Sequence, residues 1–362
     1  MAERPDAAAT PGIAADAAAG WLSTLGHDVA GTPTLTRIGL GQSNLTYLAV
    51  DERGRRWVLR RPPLGHLLAS AHDIGREARI LASLADTDVP VPQIYGVADE
   101  MTRVGSAAVT DAPLVAMEYI DGLAVDRRSV AEDLSPAHRR AIGMSMPAVL
   151  ARIHAVDLES VGLADLASRS PYAERQLRRW ARQWEQAKTR ELPAFDALTR
   201  RLEAAVPEQT ETTLVHGDFN LSNVLVARTL GDGGRAACGE VVAALDWELS
   251  TLGEPLADMG SLLAYWPEPG EGLGGELTAS TLDGFPRRDE LAAEYLRLTG
   301  RDERALRYWQ VLGLWKLASI AEGVMRRALD EPRNRAAAGT PTAERIDAIV
   351  ETATRIADDA GL

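Results

Sequence analysis

Lysine is nearly missing from this 362-residue chain: of 39 basic side chains only Lys188 and Lys316 are lysines, a bias that matches coding composition and shapes the site below. Cysteine is scarcer still. Cys238 stands alone, so no internal disulfide forms, and a reducing, cytoplasmic setting is the simple expectation. Its surroundings, GDGGRAACGE, hold no histidine, which makes it a loop residue and not a nucleophile. Long apolar runs are absent as well. The best stretch, Val311 to Ala318, is broken by Lys316, so no membrane span is expected. The opening MAERPDAAATPG has an early acidic residue and no apolar core, so no secretory signal is expected there and residues 1–13 read as a disordered start. A basic surplus is missing too. The net charge of -13 argues against nucleic acid as a partner, although it describes the whole surface and not a pocket.

The apolar content of 46% and charged content of 25% are those of a soluble globular protein, long enough for two lobes with their own cores. Residues 14–25 carry an alanine-rich amphipathic pattern. TLTRIGLGQSNLTYLAVDERGRRWVLRRPP then alternates as strand, glycine turn, strand, polar turn, strand. Ser70 to Leu84 has helical spacing, with Ile74, Ala78, Leu81 and Leu84 on one face. VPVPQIYGV and PLVAMEYIDG read as further strands. After Gly122 helical patterns dominate. An α+β chain is implied, with a small antiparallel-sheet lobe over 14–118, a connection over 119–123 and a larger, mostly helical lobe over 124–362.

LVHGDFNLSNVLV, residues 214–226, places Asp218 five residues ahead of Asn223 and just before a strand. A glycine-rich turn at Gly231 to Gly234 and the strand EVVAALDWE follow, so a hairpin returns Asp246 towards Asn223. Two carboxylates and an amide in that order suit a hard cation such as Mg2+, with one carboxylate left to act as base. Each residue singly would pass as a turn cap or a strand end.

HGDxxxxN followed by a strand-borne Asp resembles the catalytic loop and metal-binding Asp of the aminoglycoside phosphotransferase family, which has a bilobal protein-kinase-like fold. The resemblance implies that Asp218 is the catalytic base, that Asn223 and Asp246 hold Mg2+, and that ATP is the phosphoryl donor. It also implies that His216 orients the loop and that Asp258, in ADMG, braces it. Gly217 stands where a protein kinase has Arg, and LDWE replaces DFG, so a small-molecule kinase is expected. The first lobe would then bind the nucleotide. Gly41, Gln42, Ser43 and Asn44 lie in the first strand turn, where backbone N–H groups approach phosphates, and Met117, Glu118, Tyr119 and Ile120 form a hinge for the purine edge. The third strand, WVLRRPP, has no lysine. Protein kinases place there a lysine bonded to phosphates and to a glutamate of the next helix. Alternation puts Val58 and Arg60 on one face, so the resemblance implies Arg60 as the phosphate contact and Glu77 as its partner. RRPPLGHLLASAHDIGREARIL and AALDWELSTLGEPLADMGSLLAYW are similar to a narrower subgroup, related to the kinase-like N-terminal region of some acyl-CoA dehydrogenase family proteins, where Arg at this strand position is usual.

The acceptor is the open question. Residues 171–201 hold eight cations against four anions, in a chain that is acidic overall. Arg175, Arg178 and Arg182, with Lys316 and Arg326 further on, either line a pocket for an anionic acceptor, such as a hydroxyacyl-coenzyme A, or face solvent on an amphipathic helix. The polycationic aminoglycosides are the alternative acceptor. A nucleotide-binding pseudokinase is the alternative role, and metal-dependent hydrolysis is a weaker third. Protein partners are not legible.

Overall fold

The computed structural model describes residues 12–39, 44–64, 73–167, 170–228, 238–271, 276–331 and 340–362. The chain divides into two compact units. One comprises Met1–Asp86, Val91–Asp121 and Asp246–Glu248; the other comprises Thr87–Pro90, Gly122–Leu245 and Leu249–Leu362.

The first unit carries helix α1 (Ala15–Thr24), strands β1 (Thr34–Ile38), β2 (Leu45–Val50) and β3 (Arg56–Arg61), helix α2 (Ile74–Leu84), strand β4 (Ile94–Ala98), the short hairpin β5 (Arg103–Val104) and β6 (Ala107–Ala108), and strand β7 (Leu114–Glu118). Five of these strands form an antiparallel sheet in the order β1-β2-β3-β7-β4. Its two faces follow the two-residue period of β3. Trp57 and Leu59 pack with Trp21 and Leu22 of α1, while Val58 packs with Ile74 and Ala78 of α2. The four apolar positions anticipated on α2 are all buried, and Asp73 caps the helix by accepting the Arg76 amide at 2.9 Å. Ile13, expected to fray, is instead buried and bridges Thr110, because it completes the apolar cluster around α1. Residues 1–11 lie outside the described residues.

In the second unit, β8 (Leu123–Ala124) is followed by α3 (Arg128–Glu132), α4 (Pro136–His154), α5 (Tyr172–Ala187) and α6 (Pro193–Ala204). Then come β9 (Thr213–Val215), β10 (Val224–Val226), β11 (Val241–Ala244), β12 (Thr251–Gly253), α7 (Pro255–Ala264), α8 (Arg288–Thr299), α9 (Glu303–Asp330) and α10 (Ala343–Ala360). β8, β10 and β11 form one small sheet, and β9 pairs with β12. The anticipated hairpin is β10–β11, with Val224 opposite Ala244. Its glycine turn, 231–234, lies outside the described residues.

Helix α9 is the centre of this unit. It meets α7 so closely that a Cβ on Gly260 would fall 2.4 Å from the Trp309 backbone, and one on Gly313 would fall 2.8 Å from the Gly260 carbonyl oxygen. Backbones at that separation allow no side chain between them. On another side of α9 the rings of Trp184, Phe195 and Trp315 stack, with centroids 3.7 and 5.4 Å apart, tying α5 and α6 to it. Among the described residues no helix is long and apolar enough to cross a membrane.

Candidate active site

Arg60 and Glu77 meet, as the resemblance implied. The Arg60 Nε lies 3.0 Å from Glu77 Oε2, and its Nη2 donates to Asp246 Oδ1 at 2.6 Å. Glu77 is buried at 4% exposure, and its other oxygen accepts the Trp247 amide at 3.2 Å. Burial pushes the Glu77 carboxyl up to about 7, with the Arg60 guanidinium pulling the other way. Asp246 itself has φ +64°, the one positive value outside glycine among the described residues. A non-glycine residue in that region carries backbone strain that persists only where its surroundings hold it, and such residues cluster at functional sites. Asn44, beside the first strand turn, is also buried and donates to Glu248 at 3.2 Å. Gly41, Gln42 and Ser43 lie outside the described residues.

Met117 and Glu118 end β7, and Tyr119 and Ile120 follow it. Met117 sits with Val58, Val115 and Ile74 in an apolar cluster that Ile38 and Tyr119 flank, and the Glu118 amide donates to the Gln93 carbonyl at 2.8 Å. The Tyr119 ring carries the Arg56 guanidinium 4.2 Å from its centroid.

In the second unit the loop between β9 and β10 is fastened mainly through its backbone. Asp258, near the start of α7 and 1% exposed, accepts the His216 amide at 2.6 Å and the Gly217 amide at 2.8 Å. Burial would raise the Asp258 carboxyl, but these amides and the neighbouring His154 and His216 rings hold it below the usual range. Gly217 has φ +84°, and a Cβ there would fall 2.6 Å from the Leu249 carbonyl oxygen, so only glycine fits. The His216 ring accepts the Asp218 amide through Nδ1 at 3.3 Å, which makes Nε2 the protonated nitrogen that donates to the Leu245 carbonyl at 3.0 Å.

Asp218 is held from beyond. Asn223 donates to its carbonyl at 2.9 Å and its carboxylate at 2.8 Å. Asn220 donates to the same two groups at 3.1 and 3.2 Å, while its own oxygen accepts the Ser222 amide at 2.9 Å. Leu245 donates its amide to the Asn223 carbonyl at 2.8 Å, so the hairpin also fixes the asparagine.

Asn220 and His154 were not anticipated. Asn220 has a local signal, an Asn placed to cap the short helical turn Leu221–Asn223. His154, at the end of α4, has none. Its ring donates to Asp258 across 3.3 Å and meets the Tyr295 hydroxyl at 2.7 Å, and burial lowers its basicity.

Of the basic residues considered for an acceptor, Arg175, Arg178 and Arg182 line one open groove of about 460 Å³ along α5, together with Arg179, Gln183 and Gln186. Arg175 also donates to the Leu252 carbonyl at 2.8 Å, Arg178 pairs with Glu174 at 3.3 Å, and Arg179 lies over the Trp180 ring. The other two are engaged elsewhere. Arg326 donates to the Ala187 and Lys188 carbonyls at 3.3 and 2.9 Å, closing the end of α5, and Lys316 donates to the Gly217 carbonyl at 3.0 Å. Among the described residues no cluster of three or more His, Cys, Asp or Glu would hold a metal ion by itself.

The model of the phosphotransferase enzyme family matches residues 34–309. Acyl-CoA dehydrogenase family member 10 of Mus musculus is 36% identical over 84% of this chain, and family member 11 of Rattus norvegicus is 33% identical over 85%. The chain spans 27% and 38% of the lengths of those two relatives. Among solved structures, a putative aminoglycoside phosphotransferase from Ralstonia eutropha superposes with a TM-score of 0.71 at 28% identity, covering 96% of this chain and 99% of that one.

Proposed function

This chain belongs to the phosphotransferase enzyme family, and from that premise we propose that it transfers the γ-phosphoryl group of ATP, with Mg2+, to a hydroxyl of an anionic small molecule. The observation that carries the reading is the setting of Asp218, whose carboxylate is gripped by Asn223 while the backbone before it hangs on buried Asp258. A carboxylate so fixed is suited to align an incoming hydroxyl and take its proton.

The donor set suits magnesium. Asn223 spends its amide nitrogen on Asp218, which leaves its carbonyl oxygen as a ligand, and Asp246 supplies a carboxylate. One or two protein oxygens completed by phosphates are what this ion ordinarily takes. Asn223 and Asp246 would hold the ion, which would supply positive charge against the charge that develops on the phosphates. Arg60 has five N–H donors, of which one at Nη2 bonds Asp246 while Nε only lies at ion-pair distance from Glu77, so its guanidinium keeps others for phosphate oxygens. The backbone of Met117 to Ile120 would take the purine edge, and the turn of Gly41 to Asn44 would cover the phosphates.

The groove along α5 supports an anionic acceptor. Arg175, Arg178, Arg179 and Arg182 would attract phosphate groups and repel an aminoglycoside polycation. A hydroxyacyl-coenzyme A meets both needs, a hydroxyl and several phosphates, and the relatives' names concern acyl-CoA thioesters.

ADP release with Mg-ATP across a panel of hydroxyacyl-CoA thioesters, hydroxy acids, sugars, amino alcohols and aminoglycosides tests the reading. Hydroxyacyl-CoA should stimulate release, and Asp218→Asn should abolish it while nucleotide still binds. Stimulation by aminoglycosides alone would overturn the acceptor. Nucleotide binding with no turnover on any acceptor would favour a pseudokinase.

A further inference from the structure

Lys316 is a cation in an unusual place. It lies on α9 among Trp180, Trp309, Tyr172, Gln176 and Ser261, beside a cavity of about 20 Å³, room for one water. Its Nζ is 5.4 Å from the Trp180 ring centroid, and among the described residues it forms no ion pair. Burial pushes its ammonium below the ordinary lysine value. The half-buried ammonium gives up part of its water while the Asp218 and Asp258 carboxylates act on it only from a distance, so packing alone does not account for a lysine there. The bond it does make is to the Gly217 carbonyl, at 3.0 Å.

That carbonyl belongs to the peptide group joining Gly217 to Asp218, and the N–H end of the same group rests on His216 Nδ1. The peptide plane is therefore pinned at both ends, by an ammonium and by an imidazole. A peptide group is rigid, so its orientation sets the direction in which the Asp218 side chain leaves the backbone. The amide on the other side of Gly217 is already fixed to Asp258.

We infer that Lys316 is a positioning residue for Asp218, acting through the Gly217 carbonyl, and not a contact for the acceptor. The inference rests on the reading of Asp218 as base, and it adds that α9 holds the loop in its working form. Without the ammonium the peptide group keeps only its hold on His216 Nδ1, so the carbonyl is freer to turn and the amides of Asn220 and Asn223 alone steady the carboxylate.

The test pairs Lys316→Met with Lys316→Arg and reads steady-state kinetics and amide hydrogen exchange across residues 214–223. Loss of one charge-assisted hydrogen bond should lower kcat about 30-fold in Lys316→Met, with KM for Mg-ATP and for the acceptor within about twofold. Exchange at the Gly217 and Asp218 amides should rise about tenfold. Lys316→Arg, which restores a cationic donor, should recover most of both. A raised acceptor KM with kcat intact would overturn the inference in favour of an acceptor contact. Unchanged exchange would overturn it whether or not an acceptor has been found, so its failure is distinguishable from that of the kinase reading. Should Lys316→Met not fold, Lys316→Gln with the same readouts takes its place.

Discussion

In the first unit the carboxylates of Glu77 and Asp246 are held by a cation, whereas in the second the carboxylate of Asp218 is held by the amides of Asn220 and Asn223. The difference matches what each group has to do. A guanidinium between two carboxylates is fixed in place by charge, and the carboxylates give up part of their own charge to fix it. An amide donor orients a carboxylate without neutralising it, so Asp218 stays able to accept a proton. The second unit places its buried charge one step back, at Asp258, where it holds backbone and not the reacting group.

Breaking the brace should do the most damage. Asp258 accepts two backbone amides and the His154 ring, all out of water. Asp258→Asn sets an NH2 donor against donors, and should destabilise the fold by about 3 kcal/mol as well as removing turnover. Thermal denaturation with and without nucleotide reads the first effect and ADP release the second; an unshifted Tm would show that the backbone does not depend on this carboxylate. A smaller and cleaner effect is expected from Arg60→Lys. A point charge cannot serve Glu77, Asp246 and a phosphate at once, so kcat/KM for Mg-ATP should fall about 10- to 100-fold with Tm nearly unchanged. A variant as active as the parent would mean that the fork shape is not used.

Much of this was legible in the sequence, for reasons that differ by element. The two-residue period of WVLRRPP separates Val58 and Arg60 from Leu59 and Arg61, while Glu77 as the partner was implied by the resemblance, in which a strand cation pairs with a glutamate of the next helix. Asp218 and Asn223 were legible because their order ahead of a hairpin that returns Asp246 matches the catalytic-loop motif this chain resembles, although each singly would pass as a turn cap. What local pattern does not carry is contact at long range. His154 meets Asp258 across 104 positions and Lys316 meets Gly217 across 99, and neither residue is marked by its neighbours. The scarcity of lysine was visible from the start, but it does not say which carbonyl a lysine will reach. Arg326 shows the same limit: its positive charge on a second helix of the same lobe suggested an acceptor contact, and the structure places its guanidinium on the carbonyls at the end of α5.

The subtlest difference between the two units is in their response to pH. Arg60 keeps its charge throughout any practical range, so the first cluster should not lose its cation on the alkaline side. Lys316 does titrate. Burial lowers its pKa from the ordinary 10.5, opposed by the carboxylates of Asp218 and Asp258 and assisted by the nearby Arg179. As pH rises through that lowered value the ammonium becomes an amine, its hold on the Gly217 carbonyl weakens, and kcat should fall before pH 10.5 is reached. The tyrosines around the loop do not supply this limb, because burial pushes both Tyr172 and Tyr265 upwards, away from it. In Lys316→Arg the alkaline limb of kcat should move to higher pH while KM for Mg-ATP follows the parent. A limb that stays in place would assign the titration to another group, and would leave Lys316 with only an uncharged donor's part in holding the loop.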